Sequence, residues 1–145
     1  VRCRRTTRST SNSERKDPAV LEVIDTGLSG SGPVSNTVKA GNKLYTVQLP
    51  RNPQTGAAEV EGGIEAQTRR SLLNLRRSLE AAGGSLANVA QVQVFLVDPA
   101  DAPGMNKVYA EFFAPPYPNR ATVVVQALLV PGMRIEMVVQ AHLEA

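Results

Sequence analysis

Two hydrophobic periods organise the chain after Pro18. Leu21-Glu22-Val23-Ile24 predicts a short strand, ended by the Gly- and Ser-rich stretch Gly27 to Pro33. Thr37-Val38-Lys39-Ala40 and Lys43 to Leu49 flank Gly41-Asn42, the pattern of a hairpin and its turn. Arg51-Asn52-Pro53-Gln54-Thr55-Gly56 is punctuated as a loop. Ile64, Thr68, Leu72, Leu75, Leu79 and Ala82 then recur at helical spacing and form one apolar stripe, with Gly83-Gly84 as the stop. Arg69, Arg70, Arg76, Arg77 and Glu80 lie off that stripe, as expected for its solvated side. Asn88 to Val97 alternates like a well-buried strand. Pro99 to Gly104 opens a second helix with Met105, Val108, Tyr109 and Phe112 inward, and Pro115-Pro116-Tyr117-Pro118 stops it. Two strands finish the chain, the very apolar Ala121 to Leu129 and Met133 to Leu143.

Three strands, a helix, a strand, a helix and two strands give an α+β domain. Two helices that must both hide an apolar stripe against one sheet predict a two-layer sandwich, a mixed sheet with both helices on one face. At 145 residues the chain is one domain's worth, expected over 18–145. With no Trp and only three Phe and three Tyr, the core must rest on aliphatic residues. No run approaches the roughly 20 apolar residues of a membrane helix. The net charge of +3 is concentrated in residues 1–17, where six basic residues face two acidic ones, leaving the remainder at −1. That Ser/Thr-rich segment buries little apolar surface and reads as a basic disordered tail. A cytoplasmic protein is expected, or a mitochondrial one if the tail is a targeting remnant. Nucleic-acid contact is expected only through the tail.

Absences narrow the chemistry. Cys3 and His142 stand alone of their kinds, so neither a Cys- or His-rich metal centre nor a thiol-histidine pair can be assembled readily. Nucleotide-binding glycine motifs and nucleophile elbows are missing. Two residues stand out. Arg120 follows Pro118-Asn119 and precedes the most apolar segment, where a guanidinium fork could take a carboxylate or phosphate bidentately. A structural arginine paired with a nearby carboxylate is the alternative. Glu136 lies among apolar neighbours in Met133 to Val139, where a carboxylate needs a partner or a raised pKa. Its alternative is a solvent-facing pair with Arg134. Ser35, Thr46 and Asn106 taken alone are ordinary cap and turn formers.

These residues occur in a familiar order. From Gly32 to the C terminus the chain resembles the RidA/YjgF (reactive-intermediate deaminase) family. The likeness rests on Val38 to Pro50 with Pro53-Gln54-Thr55-Gly56, Ile64 to Arg69, Asn74-Leu75, Phe95 to Asp98 and Met105 to Phe113. Pro118-Asn119-Arg120-Ala121-Thr122-Val123 resembles the signature Pro-x-Arg-Ser-x-Val. The resemblance implies a chorismate-mutase-like homotrimer with a cleft at each subunit interface. It implies cofactor-free, metal-free hydrolysis of small enamines and imines to 2-oxo acids and ammonia. Arg120 would bind the substrate carboxylate and Glu136 would position or activate water. Ser35, Thr46, Asn106 and Thr122 would complete substrate binding. A ligand-binding regulatory trimer and an endoribonuclease are the other functions open. The family's Gly-Pro-Tyr-Ser-Gln appears here as Gly32-Pro33-Val34-Ser35-Asn36, without the tyrosine, and its Ser-Gly appears as Thr46-Val47. A Val where Gly allows close backbone approach is expected to narrow the pocket.

Overall fold

A computed structural model describes residues 20–28 and 32–144 of the protein. The tail expected at residues 1–17 lies outside the described residues. The strands are β1 (Glu22–Val23), β2 (Thr37–Ala40), β3 (Lys43–Gln48), β4 (Val89–Leu96), β5 (Asn119–Val124) and β6 (Ile135–His142), and the helices α1 (Gly63–Ala81) and α2 (Ala102–Phe112). They form one six-stranded sheet in the order β1-β2-β3-β6-β4-β5. Only β4 and β5 run parallel, and α2 supplies the crossover such a pair requires. β6 inserts between β3 and β4, antiparallel to both. The expected mixed sheet with two helices is present.

The core fills one side of the sheet. Ile135, Met137, Val139 and Ala141 of β6 and Val92, Val94 and Leu96 of β4 pack against Leu72, Leu75 and Leu79 of α1 and Met105 and Val108 of α2. Burying each of the larger aliphatic side chains contributes about 1.5–3 kcal/mol. Gly83 ends α1 at φ 83°, a left-handed conformation that suits glycine.

Beside the apolar stripe, α1 buries a second, polar one that its periodicity did not advertise. Gln67, Ser71, Asn74 and Ser78 recur at spacings of four, three and four, all fully enclosed. Gln67 Nε2 donates to the carbonyls of Val60 (3.2 Å) and Gly132 (2.9 Å), and Gln67 Oε1 accepts from the Arg134 amide at 2.7 Å. Asn74 Nδ2 donates to the carbonyls of Leu49 and Arg51. Ser78 Oγ accepts from Gln48 Nε2 at 2.8 Å. These bonds pin the irregular chain after β3 and before β6, the two segments that frame the site.

Three expectations are corrected. The strand expected over Ala121 to Leu129 spans Asn119–Val124, because β4, its one neighbour, ends at Leu96 and offers no further ladder. Arg120 therefore lies inside the strand, and this most apolar segment is an exposed edge. β4 is buried on one face only. The arginines of α1 do not form a plain solvated face. Arg69 pairs with Glu111 at 2.9 Å, Arg77 Nε donates to the Thr26 carbonyl at 2.7 Å, and Arg76 lies over the Phe112 ring. Among the described residues no helix is long and apolar enough to cross a membrane.

Candidate functional site

Alternation along the strands decides where each candidate side chain goes. β5 pairs Arg120 with Val92 and Thr122 with Val94, so both follow the helix-covered face at the sheet's edge. α2 crosses there. Asn106 Oδ1 accepts from Arg120 Nη2 at 2.6 Å, and Met105 Sδ accepts from Nη1 at 3.8 Å. The guanidinium carbon stands 4.5 Å from the centre of the Tyr109 ring, within cation–π range. Among the described residues the enclosed Tyr109 hydroxyl has no hydrogen-bond partner. Burial raises its pKa, opposed by the positive charge of Arg120. The structural alternative for Arg120, a carboxylate partner, is not realised: the ion pairs among the described residues belong to Arg69, Lys107 and Arg134. Arg120 is thus held in place by neutral groups and keeps its charge available.

Glu136 follows the opposite face. It stands beside Phe95 in register, on the side of the sheet that neither α1 nor α2 covers. Val34, Ser35, Asn36, Val47 and Arg51 join it around a cavity of about 470 Å³. Burial pushes the Glu136 carboxyl above its ordinary value of 4.5. The pairing with Arg134 weighed from sequence is not formed, because Arg134 Nε reaches Asp101 at 3.3 Å instead. A carboxylate with a raised pKa is a stronger base than an exposed one, and this one has room for water in front of it.

The structure brings Ser35 and Glu136 to one cavity, and Arg120 and Asn106 into contact elsewhere, with Thr122 on their strand. It does not unite the two groups within one chain. Thr46 joins neither with its side chain. Its hydroxyl is buried on the helix side, 2.8 Å from both Thr37 Oγ1 and Gln48 Nε2. The alternation of β3 sends Val47, not Thr46, to the cavity. Tyr109 and Arg51 were missed by residue type alone. Tyr109 reads as a core aromatic of α2, and Arg51 sits in a loop whose return to the cavity depends on Asn74. Among the described residues no three His, Cys, Asp or Glu side chains gather as a metal site.

The family model for endoribonuclease L-PSP matches residues 26–143. The chain belongs to the RidA/YjgF family. A RutC family protein of Pyrococcus horikoshii is 47% identical over 98 residues, covering 67% of this chain and 77% of that protein. A Dermatophagoides farinae protein named 2-iminobutanoate/2-iminopropanoate deaminase is 35% identical over 107 residues, covering 73% of this chain and 82% of its own. Among solved structures, RidA from a Psychrobacter species superposes with a TM-score of 0.78 at 34% identity, over 84% of this chain and 99% of that one. Against the RidA/YjgF pattern, both departures noted in the sequence, Val34 and Val47, line the Glu136 cavity.

Proposed function

We propose that the protein hydrolyses small 2-imino acids, and their enamine tautomers, to 2-oxo acids and ammonia as a homotrimer. The observation that carries this is the Arg120 guanidinium, oriented by Asn106 and Tyr109 yet unpaired with any described carboxylate. Such a fork suits a substrate carboxylate. Arg120 and Glu136 follow opposite faces of one sheet, so we infer a cleft between copies. One subunit contributes Arg120, Asn106 and Thr122, and its neighbour contributes Glu136 and Ser35.

Chemically little else is needed. The imine carbon is already electrophilic. The carboxylate of Glu136 accepts a proton as water's oxygen bonds to that carbon, and the nitrogen gains a proton. Glu136 then hands its proton to the nitrogen of the resulting carbinolamine while the hydroxyl gives up its own to solvent, the carbon–nitrogen bond breaks, ammonia leaves and a carbonyl remains. Holding the anion and the water in register removes much of the entropic barrier. No cofactor enters the step.

The test is the decay of 2-iminopropanoate with wild type and with Arg120→Ala. Wild type is expected to accelerate it, and the variant to lose roughly two orders of magnitude in kcat/KM, the scale of losing a charge-assisted bidentate contact. The trimer should persist by size-exclusion chromatography. The missing tyrosine hydroxyl at Val34 favours a second possibility, a carboxylate-sensing trimer without turnover. Retained carboxylate binding with no acceleration by wild type would select it.

A further inference from the structure

Among the side chains around the Glu136 cavity is a second charge that the hydrolysis does not use. Arg51 follows β3 and is tied down by its backbone. Its amide donates to the Leu49 carbonyl at 2.7 Å, its carbonyl accepts from Asn74 Nδ2 at 2.8 Å, and it bridges to Ala58. Its side chain is fixed at one point, Nη1 donating to the Gly56 carbonyl at 2.6 Å. One of five N–H donors is thereby engaged. Among the described residues no carboxylate lies within ion-pair distance of Arg51. Glu136 lines the same cavity but forms no ion pair with Arg51 among the described residues.

Apart from Glu136 the rest of the lining supplies no charge. Val34, Val47, Leu129 and Val130 give the cavity an apolar wall. A half-buried guanidinium against such a wall gains from an anion that completes its fork. Arg120 already offers a place for the carboxylate next to the imine carbon. A second cation on the Glu136 side of the cleft fits a second carboxylate on the same substrate.

We infer that Arg51 is a specificity residue that receives the distal carboxylate of a 2-imino dicarboxylic acid, with the reacting carbon between it and Arg120. This rests on the deaminase function proposed above. Monocarboxylic imines would still be held by Arg120 but would leave Arg51 unanswered. The distal contact is made equally in ground and transition states, so its loss falls on KM rather than kcat.

The experiment compares 2-iminoglutarate with 2-iminopropanoate, each generated in situ by oxidation of the parent amino acid, on wild type, Arg51→Met and Arg51→Lys. Wild type should prefer the dicarboxylic imine. Arg51→Met should lower kcat/KM for it by about tenfold or more, mainly through KM, while the monocarboxylic imine changes by less than about twofold. Arg51→Lys should restore part of the preference. If Arg51 only clasps the loop to Gly56, both imines will lose equally, and that outcome overturns the assignment, as does a wild type without preference. The wild-type comparison needs no variant to fold. Should wild type turn over neither imine, the deaminase function fails, and calorimetric titration decides Arg51 separately. Tighter binding of 2-oxoglutarate than of 2-oxobutanoate, lost in Arg51→Met, supports the distal site, and equal binding rejects it.

Discussion

On the helix-covered side of β3, Thr46 and Gln48 are buried to 3% and 1% exposure and bonded to Thr37 and Ser78, whereas on the bare side of the same strand Tyr45 and Val47 stay 37% and 38% exposed. Over Tyr45 to Gln48 the usual arrangement of an amphipathic strand is reversed, while Leu44 keeps it. Polar groups go inward because α1 brings a matching polar stripe to meet them, which removes the cost of their burial. Apolar groups go outward onto a face that also carries Val138, Phe95 and Glu136. An apolar face left bare by the described residues is the mark of a surface that another molecule can cover. Within the proposed trimer it is where a second copy would bring Arg120 to Glu136.

Adjacent valines of β6 give the largest test of that contrast. Val139 is fully buried beneath the helices and Val138 lies on the bare face, opposite Val47 and Gln93. Val139→Ala should cost about 2 kcal/mol of unfolding free energy, from lost burial and the cavity it leaves. Val138→Ala should cost a small fraction of that in the subunit, and Val138→Asp should abolish self-association in sedimentation experiments. Equal costs in urea unfolding, or an intact oligomer with Asp at 138, would break the comparison.

Two buried threonines give the next. Thr46 has its hydroxyl bonded on both sides, while Thr68 Oγ1, in α1, is enclosed with no partner among the described residues. Thr46→Val should destabilise by roughly 1–3 kcal/mol, since it strands partners in the network. Thr68→Val should be neutral or stabilising by up to about 1 kcal/mol, because nothing is left unpaired. Thermal unfolding of both variants decides, and the same sign for both would sink the account.

The smallest effect concerns pH. Burial raises Glu136 above 4.5, so the folded protein keeps a proton there at pH values where the unfolded chain has lost it. Stability from this group therefore falls as pH rises through the window between the two values, and Glu136→Gln removes that fall. Below the window the difference between wild type and variant should be constant. Above it, the difference should have moved in the variant's favour. The acid limb of kcat/KM should likewise lie above the ordinary carboxylate range, since Glu136 acts deprotonated.

Much of the fold was legible because it is locally encoded. The 3.6-residue recurrence of Leu72, Leu75 and Leu79, the turn at Gly41-Asn42, the stop at Gly83 and the alternation of β6 depend on neighbours a few positions away. Arg120 and Glu136 could be singled out by type and setting, whereas Ser35, Thr46, Asn106 and Thr122 were named only through the family resemblance. The site's layout could not. One partner of Gln48 lies 30 positions downstream at Ser78, and β4, the one described strand beside β5, limits it to Val124 however apolar the next residues are.

The sequence by itself therefore determined most of the helices and strands, though not the extent of β5, and it named groups whose side-chain chemistry suits holding an anion and moving a proton. Tertiary structure alone decided that Arg120 and Glu136 follow opposite faces of one sheet, that Thr46 points away from the cavity and Val47 into it, and that Arg51 returns to it. The physical reason is that strand order and register are set by pairings remote in sequence. A one-residue change of register exchanges the two faces and leaves local propensity untouched.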